Sequence, residues 1–358
     1  MLTEVTNELI ATARNHLATE EQLNAAAQAF LGEAVDSTKS DAEGALKSLC
    51  RHFDLDDPER GAFLALVCGV LVERGADPAV ITEPLINRLS SLLKAAGELA
   101  TAAEARLPAI VETSDSSDPF EIARGEVEET MPEQAIAWSA LDRFWHPAIA
   151  VFSRSTAARE AALSLRDSAG KISQYHAAGH WISLILTVLD QEPILVIEPE
   201  TSLGIVGRIS GIVDNFQLNT LLMDAFPQAS ADLPRRVSRD AADVARGEGP
   251  QQTEESLTSV WNLYHWQAIR ADRTLPSADQ MDSSDEFWIW NEGVPADIAL
   301  FEGYRVVLLG PPSYPRSWQS QRMFEGLPAN LQCERVLTPA EIDEWLQRMA
   351  AAQATPLE

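Results

Sequence analysis

The sequence predicts a two-part protein, with an all-α helical bundle over residues 1–111 and an α+β (mixed α/β) domain over residues 135–358. Three observations predict this organisation. Apolar residues recur at helical spacing through the first part, short β-branched runs replace that spacing in the second, and an acidic linker over residues 112–134 separates the two. At 358 residues, the chain also exceeds the length at which one hydrophobic core usually keeps growing.

The first part has the pattern of successive amphipathic helices. Leu2, Val5 and Leu9 are spaced three and four residues apart, and similar spacing recurs in the segments that follow. The apolar segment that starts at Pro58 has a proline in its first turn and ends at Gly75, which is a typical stop signal. Because such helices must bury their apolar stripes against each other, we expect a helical bundle.

The predicted linker combines turn-forming residues with like charges. Serine and aspartate residues are clustered there with Pro119 and Gly125, and Arg124 is the single basic residue of the segment. Mutual repulsion of the carboxylates should keep such a segment extended. The acidic residues are Glu112, Asp115, Asp118, Glu121, Glu126, Glu128, Glu129 and Glu133.

The second part changes to strand-like patterns. EPILVIEP and LGIVGRISGI are short β-branched runs with a turn between them, which predicts a hairpin. Asp214 is placed to cap the helix that follows. We predict further strands in SVWNLYHWQAI, EFWIWNEG, GYRVVLLG and LQCERVL, and a closing helix with a capping box from Thr338 to Glu341. The result is a sheet of roughly five strands with helices.

Two segments of this second part resemble conserved stretches of a family of uncharacterised bacterial proteins of unknown function. They are SGIVDNFQLNTLL (Ser210 to Leu222) and FWIWNEGVPADIALFEGYRVVLLGPPSYPRSW (Phe287 to Trp318). The resemblance covers roughly the C-terminal half of the chain. It implies a bacterial source and one folding unit there, and it implies no function and no catalytic residues.

The charge of the chain restricts its partners. Fifty-four acidic residues against 27 basic ones give a formal net charge of −27. A field of that sign repels phosphate backbones and anionic lipid surfaces, so we expect no nucleic-acid partner and no membrane binding. It would favour a basic protein partner. Solubility, or an acidic bacterial proteome, is the alternative explanation of the charge.

Cysteine usage and the N-terminal segment predict a cytoplasmic protein. Cys50, Cys68 and Cys333 have no CxxC spacing, and an odd count without a framework fits a reducing compartment. The N-terminal segment lacks the basic start and the apolar run of a signal peptide. The longest apolar stretch, residues 61–72, is too short to span a bilayer.

His176 and His180 form the first candidate site. Two histidines four residues apart lie on one face of a helix, which would let both imidazoles reach one metal ion. No glutamate follows His176, so the zinc-protease helix motif is absent, and a third ligand would come from afar, for instance His146, Asp214 or His265. The alternative is a partly buried helix whose imidazoles are satisfied by neighbours. We therefore predict no cofactor and keep a divalent metal as the alternative.

The loop after the predicted strand RVVLL is the second candidate site. Arg316, with Ser313, Tyr314 and Ser317 beside it, could hold a carboxylate or a phosphate, since loops at the carboxyl ends of strands often bind ligands. The loop is not a Walker loop, and its three prolines lack the N–H donors of a phosphate cradle. The alternative is a rigid turn that packs aromatic side chains on the sheet.

The third candidate is the concentration of aromatic residues after the linker, where all nine tryptophans lie. Alternation places Trp288 and Trp290 on the same face of a predicted strand. Buried core is one use of such residues, and an aromatic-lined pocket or partner groove is the other. The polar rim candidates for that pocket are Asp214, Asn215, Glu292 and Asp297.

These features lead to two hypotheses about function. The first is a nonenzymatic, accessory or immunity-like interaction protein whose acidity favours a basic protein partner. The second is an enzyme or small-ligand-binding protein with an anion or metal site in the α/β part. No serine stands in a GxSxG elbow and Cys333 has no histidine near it in sequence, so the sequence assigns no catalytic residue.

Overall fold

A computed structural model describes residues 1–113, 118–229, 237–276, 287–311 and 316–353 of the chain. The chain divides into two compact units, Met1–Leu186 and Thr187–Glu358. The first is helical and the second contains the sheet, so the predicted fold class is confirmed. None of the helices in the described ranges has both the length and the apolar character needed to cross a membrane.

The first unit consists of helices that follow each other closely along the chain. They are α1 (Leu2–Arg14), α2 (Glu20–Val35), α3 (Lys39–Leu49), α4 (Pro58–Glu73), α5 (Ala79–Glu104), α6 (Leu107–Thr113), α7 (Pro119–Glu128), α8 (Pro132–Arg154), α9 (Thr156–Ala162), α10 (Arg166–Ile172) and α11 (Ala177–Ile185), with short 3-10 helices at Cys50–His52 and Leu163–Leu165. Polar caps fix several of the starts. Thr19 forms a capping box with Gln22 at α2, and Asp57 caps α4 directly before Pro58.

Helix α4 forms the centre of this unit, because it is apolar around most of its circumference. Leu64, Val67, Cys68 and Leu71 are all buried. Helices α4 and α8 pack closely where Gly69 faces Pro147, and a Cβ atom on Gly69 would lie 3.0 Å from the Cα atom of Pro147. The absence of a side chain at Gly69 therefore allows the two helices to approach.

Arg60 of α4 completes the C-terminal end of α1. Its Nη1 donates to the carbonyl oxygens of Thr12 and Asn15 at 3.2 and 3.0 Å, and its Nη2 donates to the carbonyl oxygen of Ala18 at 2.7 Å. Asp57 holds the same guanidinium through Nε at 3.0 Å. The carbonyl oxygens of Thr12 and Asn15 also accept the backbone N–H groups of Asn15 and Ala18, so Arg60 adds a second donor at the end of α1 and joins it to α4.

The division between the units falls at Leu186, after the linker that the sequence predicts over residues 112–134. That segment contains α7 and the start of α8, and α8 packs against α4 and α5. Helix α7 is anchored by Phe120, whose ring stacks on Tyr175 at a centroid distance of 3.7 Å. The acidic residues of α7 and α8 lie on helices with a buried apolar side, whereas Asp115 lies outside the described residues. In the residues that the structure describes, the helical unit continues to residue 186.

The second unit is built on a mixed sheet. Its strands are β1 (Glu192–Glu198), β2 (Leu203–Ser210), β3 (Gln252–Thr258), β4 (Asn262–Tyr264), β5 (Leu300–Phe301), β6 (Tyr304–Gly310), β7 (Ser317–Gln321) and β8 (Asn330–Val336). Within the described residues, β4, β6, β1, β2 and β8 lie side by side in that order, and β5 pairs with β6 to make a six-stranded sheet. Strands β1 and β6 are parallel, the other pairs are antiparallel, and β3 and β7 form a separate two-stranded sheet.

Helices cover both faces of the large sheet, namely α12 (Asn215–Ala229) and α13 (Arg239–Arg246) on one face and α14 (Pro339–Gln353) on the other. Strand β1 shows why. Ile194 and Val196 pack on the face of α12 and α13, while Leu195 and Ile197 pack on the face of α14. Because alternate residues of a strand face opposite sides, a continuous apolar run produces a strand that is buried on both faces.

The aromatic runs SVWNLYHWQAI and EFWIWNEG, which we predicted as strands, have a different structure. SVWNLYHWQAI contributes only the three residues of β4, followed by a 3-10 helix at Trp266–Ala268. In EFWIWNEG, Trp288 forms an isolated bridge with Tyr264, and the residues from Ile289 to Gly293 lie in a loop and a turn. The alternation of Trp288 and Trp290 therefore does not come from a strand. We call residues 287–293 the tryptophan loop.

Candidate functional site

The start of α12 lies beside the tryptophan loop, and Asp214 caps it as the sequence predicts. Its Oδ1 accepts the backbone N–H of Gln217 at 2.7 Å. Asp214 is only 5% exposed. Burial raises the pKa of its carboxyl from 3.8 to about 6, because the loss of solvation outweighs the backbone N–H groups of Gln217 and Phe216 that favour the charged form.

The tryptophan loop is held to this helix start by three hydrogen bonds. The side-chain amide of Asn215 donates to the carbonyl oxygen of Trp290 at 2.8 Å. The backbone N–H groups of Asn215 and Phe216 donate to the carbonyl oxygens of Gly293 and Asn291 at 2.9 and 3.0 Å. The first N–H groups of a helix lack partners within the helix, and here the loop provides them. Helix α12 therefore fixes the position of Trp290.

Trp288 and Trp290 line a shallow cleft. Their ring centroids are 5.6 Å apart, and the Trp288 ring meets Tyr264 edge-on at 6.4 Å. The cleft is lined by Ser259, Asn262, Trp288, Trp290, Asn291 and Arg316. Its volume is about 10 Å³, which is room for about one water molecule. Trp290 is 40% exposed, so the described residues of this region present an aromatic surface.

Arg316 lies against Trp290 with its charge already neutralised. Its Nη2 donates to both carboxylate oxygens of Glu292, at 2.6 and 2.9 Å. The guanidinium carbon is 5.6 Å from the centroid of the Trp290 ring, which is within the range of a cation–π contact. Glu292 occupies Nη2 alone, but an anion that bound the other N–H groups of Arg316 would meet the negative charge of Glu292. We call Trp290, Glu292 and Arg316 the Trp290 surface.

The structure thus brings together four of the predicted ligand-binding residues, Asn215, Trp288, Trp290 and Arg316, with Asp214 next to them at the helix start. Ser313 and Tyr314 lie outside the described residues. The rim candidate Asp297 lies in a 3-10 helix at Pro295–Asp297 and is exposed. The predicted anion anchor and the predicted aromatic cluster are therefore parts of the same surface.

His176 precedes α11 and acts as its N-cap, so it is not on a helix face with His180. Its Nδ1 accepts the backbone N–H of Ala178 at 3.0 Å, and its Nε2 lies 3.0 Å from the carbonyl oxygen of Trp138. Both ring nitrogens are thus in use, and desolvation lowers the pKa of the buried imidazole although Asp142 lies nearby. His180 is exposed one turn later.

The other proposed metal ligands are dispersed. His146 stacks on Trp145 in the helical unit, while Asp214 and His265 belong to the second unit. His265 uses its Nδ1 to accept the backbone N–H of Ala299 at 3.2 Å. In the parts of the chain that the structure describes, no group of three or more His, Cys, Asp or Glu residues is arranged to hold a metal ion. A metal at His176 and His180 stays a prediction.

The sequence interpretation missed a larger cavity in the helical unit. It has a volume of about 420 Å³, and it is lined by Arg51, Phe53, Asp54, Glu83, Asn87 and Arg88 among others. The signal was present in part, because Glu83 and Asn87 are four residues apart on α5 and continue to Ser91 as a polar row. Arg51 and Asp54 come from the separate turn after α3, and their proximity to this row depends on the tertiary fold.

Comparison with known proteins gives no relative from which to transfer a function. The predicted resemblance of the second unit to uncharacterised bacterial proteins stays a prediction. No protein-family model, no curated protein and no solved structure matches the chain.

Proposed function

We propose that this chain is a nonenzymatic interaction protein, an accessory or immunity-like protein of a bacterial cytoplasm, that docks a basic segment of another protein on its Trp290 surface. The observation that carries the proposal is a 40% exposed tryptophan that is fixed by α12 and stacked by Arg316. Tryptophan and arginine are the residues most enriched among those that dominate binding energy at protein interfaces.

The rigidity of Trp290 supports this role. A binding residue that is already held in place loses little conformational freedom when the partner arrives. The carbonyl oxygen of Trp290 accepts from Asn215, and the ring is flanked by Trp288 and by Arg316. The cleft that the described residues form beside it has a volume of only about 10 Å³, and the exposed ring of Trp290 offers a surface for a side chain of a partner.

The charge indicates the chemistry of the partner. Both units carry an acidic excess, with 28 acidic and 15 basic residues before residue 187 and 26 acidic and 12 basic residues from there on. A partner with an exposed lysine or arginine would be attracted over long range. At the Trp290 surface, the cation of the partner protein can lie over the Trp290 ring. It can also replace Arg316 as the hydrogen-bond donor to the carboxylate of Glu292.

One observation favours the second hypothesis, an enzyme of the α/β unit. The pKa of Asp214 is raised to about 6, which is a value that suits a proton donor or acceptor near neutral pH. Asp214 is also an N-cap that is 5% exposed, and burial at a structural position is sufficient to explain the shift. We therefore place this hypothesis second.

The experiment measures association of the full-length chain with two synthetic peptides of equal length and aromatic content, one rich in arginine and lysine and one rich in glutamate. We expect the basic peptide to bind, with an association rate that falls as salt is added. Trp290→Ala should weaken its binding by about 30-fold, which is the loss typical of a dominant interface residue.

The matched control is Met323→Ala, since Met323 is also 40% exposed but is not part of the cleft lining. This variant should bind the basic peptide as the unmodified chain does. Equal binding of the basic peptide by the Trp290→Ala variant would show that charge alone drives association, and it would refute the Trp290 surface. Binding of the acidic peptide at the same strength would refute the basic partner.

A further inference from the structure

The cavity of the helical unit has the size of a small-molecule site. Its volume of about 420 Å³ lies within the range of roughly 300–1,000 Å³ that is usual for ligand pockets. One wall of the cavity comes from the 3-10 turn after α3 and from Phe53, which follows it. The opposite wall comes from α5 and includes Pro84. Phe53 is 2% exposed and belongs to the core, so the apolar surface open to a ligand comes from Pro84.

Arg88 lines this cavity with an unsatisfied donor. Its Nε atom is buried and has no hydrogen-bond partner within the described part of the chain. Desolvation lowers the pKa of the Arg88 guanidinium, and the charge of Asp54 opposes that effect. The half-buried guanidinium of Arg88 is therefore partly desolvated and has no anionic hydrogen-bond partner from the described part of the chain, so a carboxylate in the cavity would find its terminal N–H groups unpaired.

The charges around the cavity are of both signs. Arg51 and Arg88 supply two cations, and Asp54 and Glu83 supply two carboxylates. Within the described residues, none of these four side chains forms an ion pair or a side-chain hydrogen bond. Oppositely charged groups that share a cavity without pairing are available for a ligand that carries both charges itself.

The geometry points to a binding site for a small zwitterion of the free α-amino acid class. The carboxylate of the ligand accepts from Arg88 and Arg51, its ammonium group donates to Asp54 and Glu83, and its side chain lies against Pro84. A zwitterion has no net charge, so the net charge of −27 does not repel it as it would repel a phosphate or a dicarboxylate. The site lies wholly in the helical unit and is independent of the Trp290 surface.

The test uses the full-length chain and each of the twenty standard amino acids in turn, first by thermal shift and then by calorimetry. We expect at least one of them to raise the unfolding midpoint and to bind with a measurable heat. The same compound without its carboxylate, and the same compound without its amino group, should each bind at least about tenfold more weakly, since each lacks one set of charge-assisted hydrogen bonds.

Two variants assign the site. Arg88→Gln and Glu83→Gln should each weaken binding of the amino acid by at least about tenfold. Glu83 is exposed, so its replacement leaves the fold intact. The control is Lys94→Gln, an exposed cation on the same helix that is not part of the cavity lining, and it should bind like the unmodified chain. Binding that survives Glu83→Gln, or acetate that binds as tightly as the amino acid, overturns the zwitterion site. The absence of a shift with all twenty compounds overturns it as well.

Discussion

Replacement of Asp214 by asparagine should stabilise the second unit at neutral pH and leave its stability at acid pH nearly unchanged. Asparagine keeps an oxygen that can accept the N–H of Gln217, so the helix cap is preserved. What the variant removes is the charge that a buried carboxyl must carry when it ionises. The perturbation thus separates the cost of the charge from the benefit of the cap.

The magnitude follows from the pKa of Asp214. Its folded value of about 6 lies above the value of 3.8 that applies in the unfolded chain. A raised pKa contributes stability that is fully present below pH 3.8 and is lost as the pH rises through about 6. Each pKa unit is worth about 1.4 kcal/mol, so the wild-type chain loses about 3 kcal/mol over this window and the variant does not.

The assay is urea denaturation at pH 4 and pH 7.5, combined with hydrogen exchange of peptides from α12, which reports on the second unit alone. The advantage of Asp214→Asn over wild type should grow by about 2.5 kcal/mol between the two pH values, because a small part of the loss has already occurred at pH 4. Glu200→Gln, which removes one exposed carboxylate from the turn between β1 and β2, controls for the change in net charge. An advantage of the same size at both pH values would refute the reasoning.

Three further substitutions test the helical unit. His176→Ala should lower its stability by about 1–3 kcal/mol at neutral pH, because the buried N–H of Ala178 loses its acceptor. Burial lowers the pKa of His176 below 6.5, so the wild-type chain should lose stability as the pH falls below 6.5. The His176→Ala variant should lose less stability over the same range, and thermal denaturation at pH 5 and pH 8 measures the difference. Gly69→Ala should destabilise by about 1–3 kcal/mol, since its Cβ would press on Pro147. Gly97→Ala, with no atom within 4 Å of its Cβ, should instead stabilise by about 0.5–1 kcal/mol, and equal effects of the two would contradict the close packing of α4 and α8.

The sequence predicted the structural features that depend on interactions between residues close together in the chain. The hairpin of β1 and β2 and the cap at Asp214 depend on residues that are close in the chain, and both are present. The acidity of residues 112–134 predicted a linker there, whereas residues 119–128 also have a helical pattern. Phe120, Ala123 and Val127 are spaced three and four residues apart, and all of them are buried.

The tryptophan loop and the helical cavity depend on contacts between distant segments. Alternating aromatic residues are typical of a strand, yet in the tryptophan loop the backbone carbonyls accept from the start of α12, some 75 residues away in sequence. No pattern within the loop indicates that partner. The cavity likewise arises where the turn with Arg51 meets α5 with Arg88, so its charges are adjacent only after folding.

The position of Arg60 has a consequence for the order of folding. Its guanidinium donates to the carbonyl of Asn15, 45 residues earlier in the chain, so the end of α1 has its full set of hydrogen bonds only when α4 is in place. Lysine at this position could not reproduce the effect, because an ammonium group lacks the planar fork that reaches several carbonyls at once. We therefore expect the last amides of α1 to exchange with solvent in the same opening event as those of α4.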